Sequence, residues 1–308
     1  MFPLKGIIPP IVTPLEDDDA LDHGALERIL NRCLDAGVHG VFILGTTGEG
    51  PALSQRLRRE VVEAATRIVN RRAPVLVGVT DTSLADSLAL AAVAAGSGAD
   101  AVVTAGPCYF PASQSELLRY MEQFARASAL PTFVYNMPSH TKVSFEAATV
   151  RRLAQIPGIV GVKDSSAQML FFQQLLAITE ERPDFTVLMG PEELLAESVL
   201  LGGHGGVCGG ANLIPELYVA LYEAAVTGDL RQVMKLQQRV QRLSSRLYTV
   251  GDAPSAYLAG LKAALACLGL GNGRLAPPTQ SLLPDRQAVV EQHLLDLGLI
   301  GPRRAVHA

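Results

Sequence analysis

The sequence predicts an α/β protein built as a (β/α)8 barrel with a C-terminal three-helix extension. Short apolar runs rich in β-branched residues alternate with amphipathic helical patterns along most of the 308 residues. The apolar runs are continuous rather than alternating, which is typical of parallel strands covered by helices. A composition that is 48% hydrophobic and 18% charged supplies the material for a large core.

Eight apolar runs are predicted as strands, and each meets a helical pattern before the next run begins. The predicted strands are Gly6–Pro14, Val41–Gly45, Pro74–Thr80, Ala101–Gly106, Thr132–Asn136, Ile159–Lys163, Thr186–Gly190 and Gly205–Gly209. The helical patterns that follow them are Asp22–Ala36, Gln55–Val69, Ser83–Ala95, Ser115–Ala127, Ser144–Gln155, Gln168–Thr179, Glu192–Leu201 and Pro215–Val226. Eight such units close naturally into a barrel.

The main competing fold is a doubly wound open sheet. That fold usually has a Gly-x-Gly-x-x-Gly turn after its first strand, and the segment Pro9–Pro14 contains none, so the barrel is favoured. Three further helical patterns, Leu230–Leu247, Ala253–Leu268 and Pro284–Leu297, follow the eighth unit. They predict a helical extension at residues 229–308 after a catalytic barrel at residues 1–228. Residues 301–308 are expected to be loosely ordered.

Charge and hydropathy argue against macromolecular and membrane partners. The net charge is −4, and no basic run with interleaved aromatic residues suggests binding to nucleic acid or to an anionic membrane. No apolar run reaches membrane-spanning length without a glycine, proline or charge, and the N-terminus lacks a signal-peptide pattern. We therefore expect a soluble, cytoplasmic protein that acts on small molecules.

The cysteines and histidines do not indicate a metal site. The cysteines are Cys33, Cys108, Cys208 and Cys267, and the histidines are His23, His39, His140, His204, His293 and His307. They are scattered, with neither a zinc spacing nor a dense disulfide framework. We expect reduced cysteines and no metal.

Lys163 ends the apolar run Ile159–Lys163, where a charged side chain is unexpected. A lysine ammonium in a low-dielectric interior loses hydration, which lowers its pKa and leaves a fraction as the free amine. The free amine is a nucleophile toward ketones, so Lys163 is a candidate for Schiff-base formation. The alternative from this segment alone is a lysine whose head reaches solvent or a carboxylate.

Other candidate groups follow neighbouring strands, whose carboxyl ends carry the chemistry in a barrel of this kind. The segment Gly45–Gly50 reads Gly-Thr-Thr-Gly-Glu-Gly, in which backbone amides and threonine hydroxyls form a plausible cradle for a carboxylate. A glycine-rich turn that caps the barrel is an equally good interpretation. Tyr135 ends the fifth strand, where its phenol could move protons or simply pack.

Taken together, three motifs resemble those of the dihydrodipicolinate synthase and N-acetylneuraminate lyase family of class I aldolases. They are Gly45–Glu49, the segment Tyr135-Asn136-x-Pro138, and Gly161-Val162-Lys163-Asp164, in matching order and spacing. The likeness extends from about Leu4 through the C-terminal helices. It implies a barrel with an appended helical bundle, usually a tetramer, and a lysine imine formed with pyruvate or another 2-oxo acid, without a separate cofactor.

The resemblance also implies a role for each matching residue. Lys163 would form the imine, Tyr135 would transfer protons, and the Thr46 hydroxyl would relay protons between phenols. Tyr109 is similar to the tyrosine that enters the site from a neighbouring subunit in many relatives, which implies at least a dimer. Thr47 would join Thr46 in holding the substrate carboxylate, and the backbone of Val207 would line the pyruvate pocket.

Two departures from the family pattern bear on the second substrate. Dihydrodipicolinate synthases carry an arginine for that substrate's carboxylate where this chain has His140, and a neutral imidazole cannot make the bidentate contact of a guanidinium. Glu192 and Glu193 belong to a segment that resembles the region where sugar-acid lyases bind hydroxyls, although acidic residues that open the following helix are an equal interpretation.

These observations leave three hypotheses. The first is a Schiff-base lyase or aldolase that joins or separates a 2-oxo acid and an aldehyde, with a 2-oxo-3-deoxy sugar acid as substrate. The second is 4-hydroxy-tetrahydrodipicolinate synthase, which uses pyruvate and aspartate semialdehyde. The third is a non-catalytic family member that binds a 2-oxo acid, against which the joint presence of Lys163, Tyr135, Thr46 and Tyr109 argues.

Overall fold

The computed structural model describes residues 2–251 and 254–301 and shows a closed sheet of eight parallel strands surrounded by helices. The strands are β1 (Gly6–Ile7), β2 (Val41–Ile43), β3 (Val75–Gly78), β4 (Ala101–Ala105), β5 (Thr132–Asn136), β6 (Ile159–Asp164), β7 (Thr186–Met189) and β8 (Gly205–Gly206). From β2 to β8 each strand pairs with the next along the chain, and β8 pairs with β1. The predicted (β/α)8 barrel is confirmed.

The barrel closes between the segment after β1 and strand β2. The Phe42 N–H donates to the Pro9 carbonyl at 2.9 Å, and the Ile11 N–H donates to the Phe42 carbonyl at 2.8 Å. The first strand is much shorter than the predicted run Gly6–Pro14. That run contains three prolines, which have no N–H to give to a ladder.

The side chain of Asn212 replaces part of the missing ladder. Its Oδ1 accepts from the Val12 N–H at 3.1 Å, and its Nδ2 donates to the carbonyls of Pro10 and Gly209 at 2.9 and 2.8 Å. Asn212 is fully buried, so these bonds satisfy backbone groups that water cannot reach. The loop after β8 is thereby fixed against the loop after β1.

Helices enclose the barrel and extend it. Those longer than four residues are α1 (His23–Asp35), α2 (Gln55–Val69), α3 (Leu84–Ser97), α4 (Gln114–Ala127), α5 (Ala147–Leu153), α6 (Met169–Leu176), α7 (Leu195–Leu200), α8 (Pro215–Thr227), α9 (Leu230–Leu247), α10 (Ala256–Cys267) and α11 (Pro284–Asp296). Asp22, Ser54 and Ser83 start the first three by accepting an N–H of the first turn, and Ser113 forms a capping box with Glu116. None of the described helices is both long and apolar enough to cross a membrane.

The boundaries differ from the predictions at several places. Glu192–Leu194 form a 3-10 turn before α7, so the predicted helix Glu192–Leu201 is split in two. A small antiparallel hairpin (Leu15–Asp17 with Ala20–Leu21) and a single helical turn at Pro138–Thr141 were absent from the sequence prediction, because elements this short leave no periodic signal. The predicted start of the helix at residue 253, and residues 302–308 of the predicted loose terminus, lie outside the described residues.

The C-terminal helices α9, α10 and α11 share a buried apolar cluster with the barrel. Leu243 and Leu247 of α9 and Leu261 and Leu265 of α10 belong to the same buried cluster as residues of α1, α2 and β2. Gly228, in a left-handed conformation with φ 72°, ends α8 at the predicted boundary. The division into domains at residues 228 and 229 stays a prediction, while the shared core joins the two parts.

A buried ion pair ties α10 to the loop after β2. The side chains of Glu49 and Lys262 are 3% and 4% exposed and contact each other directly. The other Glu49 oxygen accepts from the Ala276 N–H at 2.7 Å, and Lys262 also donates to the Arg274 carbonyl at 2.7 Å. Each charge is therefore both paired and hydrogen-bonded, which offsets the cost of removing it from water.

We predict that Lys262→Met lowers the free energy of unfolding by about 3 to 5 kcal/mol, because it leaves the Glu49 carboxylate buried without a counter-charge. Chemical denaturation measures this loss. Lys235→Met, at an exposed position of α9, is the matched control and should unfold like the parent. The double variant Glu49→Gln/Lys262→Met should regain much of the loss, and a double variant as unstable as the single one would contradict the ion-pair explanation.

Candidate active site

A cavity of about 590 Å³ opens at the carboxyl ends of the barrel strands. Its lining includes the predicted site residues Thr46, Thr47, Tyr135, His140, Lys163, Glu192, Glu193 and Val207. Of the predicted set, Tyr109 alone is outside this lining. The barrel therefore brings together groups that are far apart in sequence, from Thr46 to Val207.

Lys163 lies near the end of β6 and faces the cavity with only 5% of its surface exposed. Its Nζ is 4.1 Å from the centroid of the Tyr135 ring and 5.1 Å from that of Phe42. Among the described residues it forms an ion pair with no carboxylate. The neighbouring Asp164 projects to the other face of the strand, where it accepts a hydrogen bond from Asn136 at 2.8 Å. Aromatic faces rather than a counter-ion surround the ammonium.

Tyr135 is the direct neighbour of Lys163, since the two residues pair in register across β5 and β6. Its hydroxyl lies 3.2 Å from the Thr46 Oγ1. Burial opposes ionisation of the phenol, but the charge of Lys163 and hydrogen bonds with Thr46, Ser165 and Lys163 outweigh it and lower the pKa of Tyr135. A phenol with a depressed pKa beside an amine is suited to proton transfer.

The loop Gly45–Gly50 is a glycine-dependent turn and also has free groups suited to a carboxylate. Leu44 has a left-handed backbone with φ 57°, and a β-carbon at Gly50 would overlap the Leu44 carbonyl, so this glycine is needed for the turn. The amides of Thr46 and Thr47 donate to no protein acceptor within the described residues. Two free N–H groups beside two hydroxyls are suited to a carboxylate.

The two adjacent glutamates differ in their environments. Glu192 is buried, and its carboxyl accepts from the Gly210 N–H at 2.7 Å and from the hydroxyls of Tyr218 and Tyr248 at 2.5 and 2.8 Å. Burial raises its pKa to about 7. Glu193 is half-buried, and its carboxylate has no hydrogen-bond or ion-pair partner in the described part of the chain. Glu193 is therefore the glutamate with unused hydrogen-bonding capacity at the cavity.

His140 lies at the exposed rim of the cavity, and its Nδ1 is 3.0 Å from the Ser139 hydroxyl. Partial burial and the charges of Lys142 and Lys163 lower the pKa of His140 below its ordinary value. The imidazole is consequently neutral near pH 7. Apart from Lys163, no lysine or arginine among the described residues lines the cavity.

Tyr109 does not reach the cavity of its own chain. It is 86% exposed, has φ 80°, and stacks edge to face with the exposed Phe110 at a centroid distance of 5.1 Å. Its predicted entry into a neighbouring subunit's site stays a prediction. Within the described residues, no group of three or more histidine, cysteine, aspartate or glutamate side chains could hold a metal ion.

Sequence reasoning missed the contribution of the C-terminal extension. Tyr248 and Tyr257 line the cavity, and their rings pack edge to face at 4.7 Å. The Tyr257 hydroxyl is 3.0 Å from the Thr47 Oγ1. No motif marks these tyrosines, because only the packing of α9 and α10 on the barrel brings them to the site.

Comparison with known proteins agrees with this geometry. The model of the dihydrodipicolinate synthetase family matches residues 3–296. An uncharacterised DapA-like lyase of Halobacterium salinarum is 38% identical, with 96% of this chain and 95% of the relative covered. A protein of Escherichia coli named as a probable 2-dehydro-3-deoxy-D-pentonate aldolase is 34% identical, over 88% of this chain and 89% of its own.

Solved structures give the same result. The dihydrodipicolinate synthase of Bacteroides thetaiotaomicron superposes with a TM-score of 0.93 at 48% identity and covers 96% of this chain and 99% of its own. A prophage protein of the dihydrodipicolinic acid synthase family from Escherichia coli, solved in complex with pyruvate, has a TM-score of 0.91 at 30% identity, over 97% and 100% of the two chains. The chain therefore belongs to the dihydrodipicolinate synthetase family, as a lyase or aldolase with the barrel of that family.

Proposed function

We propose that the protein is a class I lyase whose Lys163 forms an imine with pyruvate or another 2-oxo acid and makes or breaks a carbon–carbon bond to an aldehyde. The observation that carries the proposal is the placement of Lys163, buried at the cavity without a counter-ion and in register with Tyr135. A buried lysine that served only the fold would be expected to have an anionic partner, as Lys262 does.

In the cleavage direction the Lys163 amine adds to the C2 carbonyl of the substrate, and loss of water gives an iminium. The proton of the C4 hydroxyl leaves to a base as C4 becomes a carbonyl. The electron pair of the C3–C4 bond moves toward the iminium nitrogen, which yields an enamine and releases the aldehyde. Protonation of C3 and addition of water then release pyruvate and restore the amine, so no other cofactor is required.

Tyr135 is the group proposed to move these protons. Its hydroxyl adjoins both Lys163 and Thr46, and its lowered pKa favours proton exchange at neutral pH. The free amides and hydroxyls of Thr46 and Thr47 would hold the substrate carboxylate. Val207, which lines the cavity, would contact pyruvate through its backbone.

The proposed substrate is a 2-oxo-3-deoxy sugar acid. The Glu193 carboxylate is free to accept hydrogen bonds from hydroxyls, and the resemblance to a pentonate aldolase favours the same class. Glu192, also predicted as substrate-binding, has its carboxyl engaged with Gly210, Tyr218 and Tyr248, and we assign it no direct contact. His140 at the rim could form a hydrogen bond with a hydroxyl of the same sugar acid.

The second candidate is 4-hydroxy-tetrahydrodipicolinate synthase. The 48% identity to the Bacteroides synthase favours it. Against it stands the cavity lining, in which the described residues offer no arginine or second lysine for the carboxylate of aspartate semialdehyde. The exposed aromatic pair Tyr109 and Phe110 supports assembly into a dimer or tetramer, in which Tyr109 would act in a neighbouring site.

Lys163→Met should abolish cleavage of 2-oxo-3-deoxy sugar acids while the protein stays folded. Because the native ammonium has no counter-ion, the thermal midpoint should stay the same or rise, opposite to the effect of Lys262→Met. Pyruvate release and thermal unfolding measure the two effects, with Lys235→Met as the control. A destabilised Lys163→Met protein would indicate a structural role.

Tyr135→Phe should lower kcat about 100-fold or more and change the dissociation constant of pyruvate by less than about threefold, because it removes a proton-transfer group and little binding energy. Steady-state kinetics measures kcat, and titration calorimetry measures the dissociation constant of pyruvate. Tyr222→Phe, which alters a tyrosine packed on His39 away from the cavity, should change neither. Equal losses in turnover and binding would remove the proton-transfer role.

His140→Arg should raise kcat/KM for aspartate semialdehyde about tenfold, because a guanidinium can bind the second carboxylate. A coupled assay with pyruvate as co-substrate detects the change. His23→Arg, which places the same charge at an exposed site near Glu60, is the control. An unchanged rate would mean that other cavity residues select the aldehyde.

A further inference from the structure

Helix α10 contacts the predicted carboxylate-binding loop at two points. The Tyr257 hydroxyl is 3.0 Å from the Thr47 Oγ1, and Lys262 pairs with Glu49. Thr47 and Glu49 flank the turn of the loop, whose amides at Thr46 and Thr47 have no acceptor among the described residues. The loop is also held by the Thr13 hydroxyl, which donates to the Gly48 carbonyl at 2.7 Å, and by the Glu49 N–H, which donates to the Thr46 carbonyl at 3.0 Å. The two contacts of α10 add a link to the C-terminal extension.

The two contacts have different chemistry. The bond between Lys262 and Glu49 joins buried charges and anchors the loop to the fold. Tyr257 and Thr47 are both cavity-lining residues joined through neutral hydroxyls, so their bond lies where a ligand would be. A β-carbon at Gly209 would overlap the Tyr257 hydroxyl, so this glycine of the loop after β8 leaves the space that the phenol fills.

The environment of Tyr257 keeps its proton in place. Burial and the negative charge of Glu192 raise the pKa of Tyr257 far above its ordinary value. The edge-to-face contact with Tyr248 holds the ring from one side. A phenol that does not ionise can donate its one proton to the Thr47 Oγ1, which leaves the Thr47 proton free to be donated elsewhere.

We propose that Tyr257 is a positioning residue for the carboxylate of the 2-oxo acid. By donating to Thr47, it directs the threonine hydroxyl and the adjoining amides toward the carboxylate, and it makes affinity for the acid depend on a helix of the C-terminal extension. The inference rests on the proposed function, because it assumes that Thr46 and Thr47 form the carboxylate subsite. It assigns Tyr257 no role in imine formation.

The test is the affinity for pyruvate of Tyr257→Phe, measured by titration calorimetry. Loss of one hydrogen bond should raise the dissociation constant about fivefold to tenfold. The amount of borohydride-trapped adduct at saturating pyruvate should equal that of the parent, and the thermal midpoint should change little because the ring and its packing remain. The matched control is Tyr222→Phe, which removes a hydroxyl away from the cavity.

A double-mutant cycle identifies the partner. Thr47→Val should raise the dissociation constant as well, and adding Tyr257→Phe to it should cost little more, because the bond is already gone. An unchanged affinity in Tyr257→Phe, or fully additive losses in the double variant, would overturn the proposal. If the parent protein bound pyruvate but gave no trapped adduct, imine formation would be contradicted, while the affinities of the variants could still be compared. If the parent protein did not bind pyruvate, both imine formation and the positioning role of Tyr257 would be contradicted.

Discussion

Two lysines are buried near the carboxyl end of this barrel, and only one of them has a counter-charge. Lys262 pairs with Glu49, whereas Lys163 lies among the aromatic faces of Tyr135 and Phe42 without a carboxylate among the described residues. Burying an unpaired ammonium is costly, and a fold keeps such a group only where the rest of the structure compensates for it. The buried apolar clusters supply that stability, and the proposed chemistry explains why the unpaired lysine is kept.

The C-terminal helices contribute residues to the proposed active site. Tyr257 and Lys262 on α10 hold the loop after β2, and Tyr248 at the end of α9 donates to Glu192 after β7. These contacts add to the bonds between barrel loops, such as the one from the Gly210 N–H to Glu192. Glu192, with its pKa raised to about 7 by burial, is therefore part of the framework that shapes the cavity and has little capacity left for a ligand.

The pattern of the sequence predicts the order of the strands and most helices, because continuous apolar runs and amphipathic patterns are local properties. It overestimates the length of the first strand, whose prolines have no N–H for the ladder. The 3-10 turn at Glu192–Leu194 and the single helical turn at Pro138–Thr141 escaped prediction, because elements this short leave no periodic signal. Eight predicted site residues meet at the cavity since motif positions at strand ends converge in a barrel. Tyr257 carries no local signal, because its bond to Thr47 joins residues 210 positions apart.

The proposed function depends on imine formation between the unpaired Lys163 and a 2-oxo acid. The most direct measurement is the intact mass of the native protein after incubation with pyruvate and borohydride, followed by peptide mapping. A single pyruvyl adduct on Lys163, with Lys262 unmodified, is the predicted result. A folded protein that gains no adduct, or one modified only on other lysines, would contradict the proposed function.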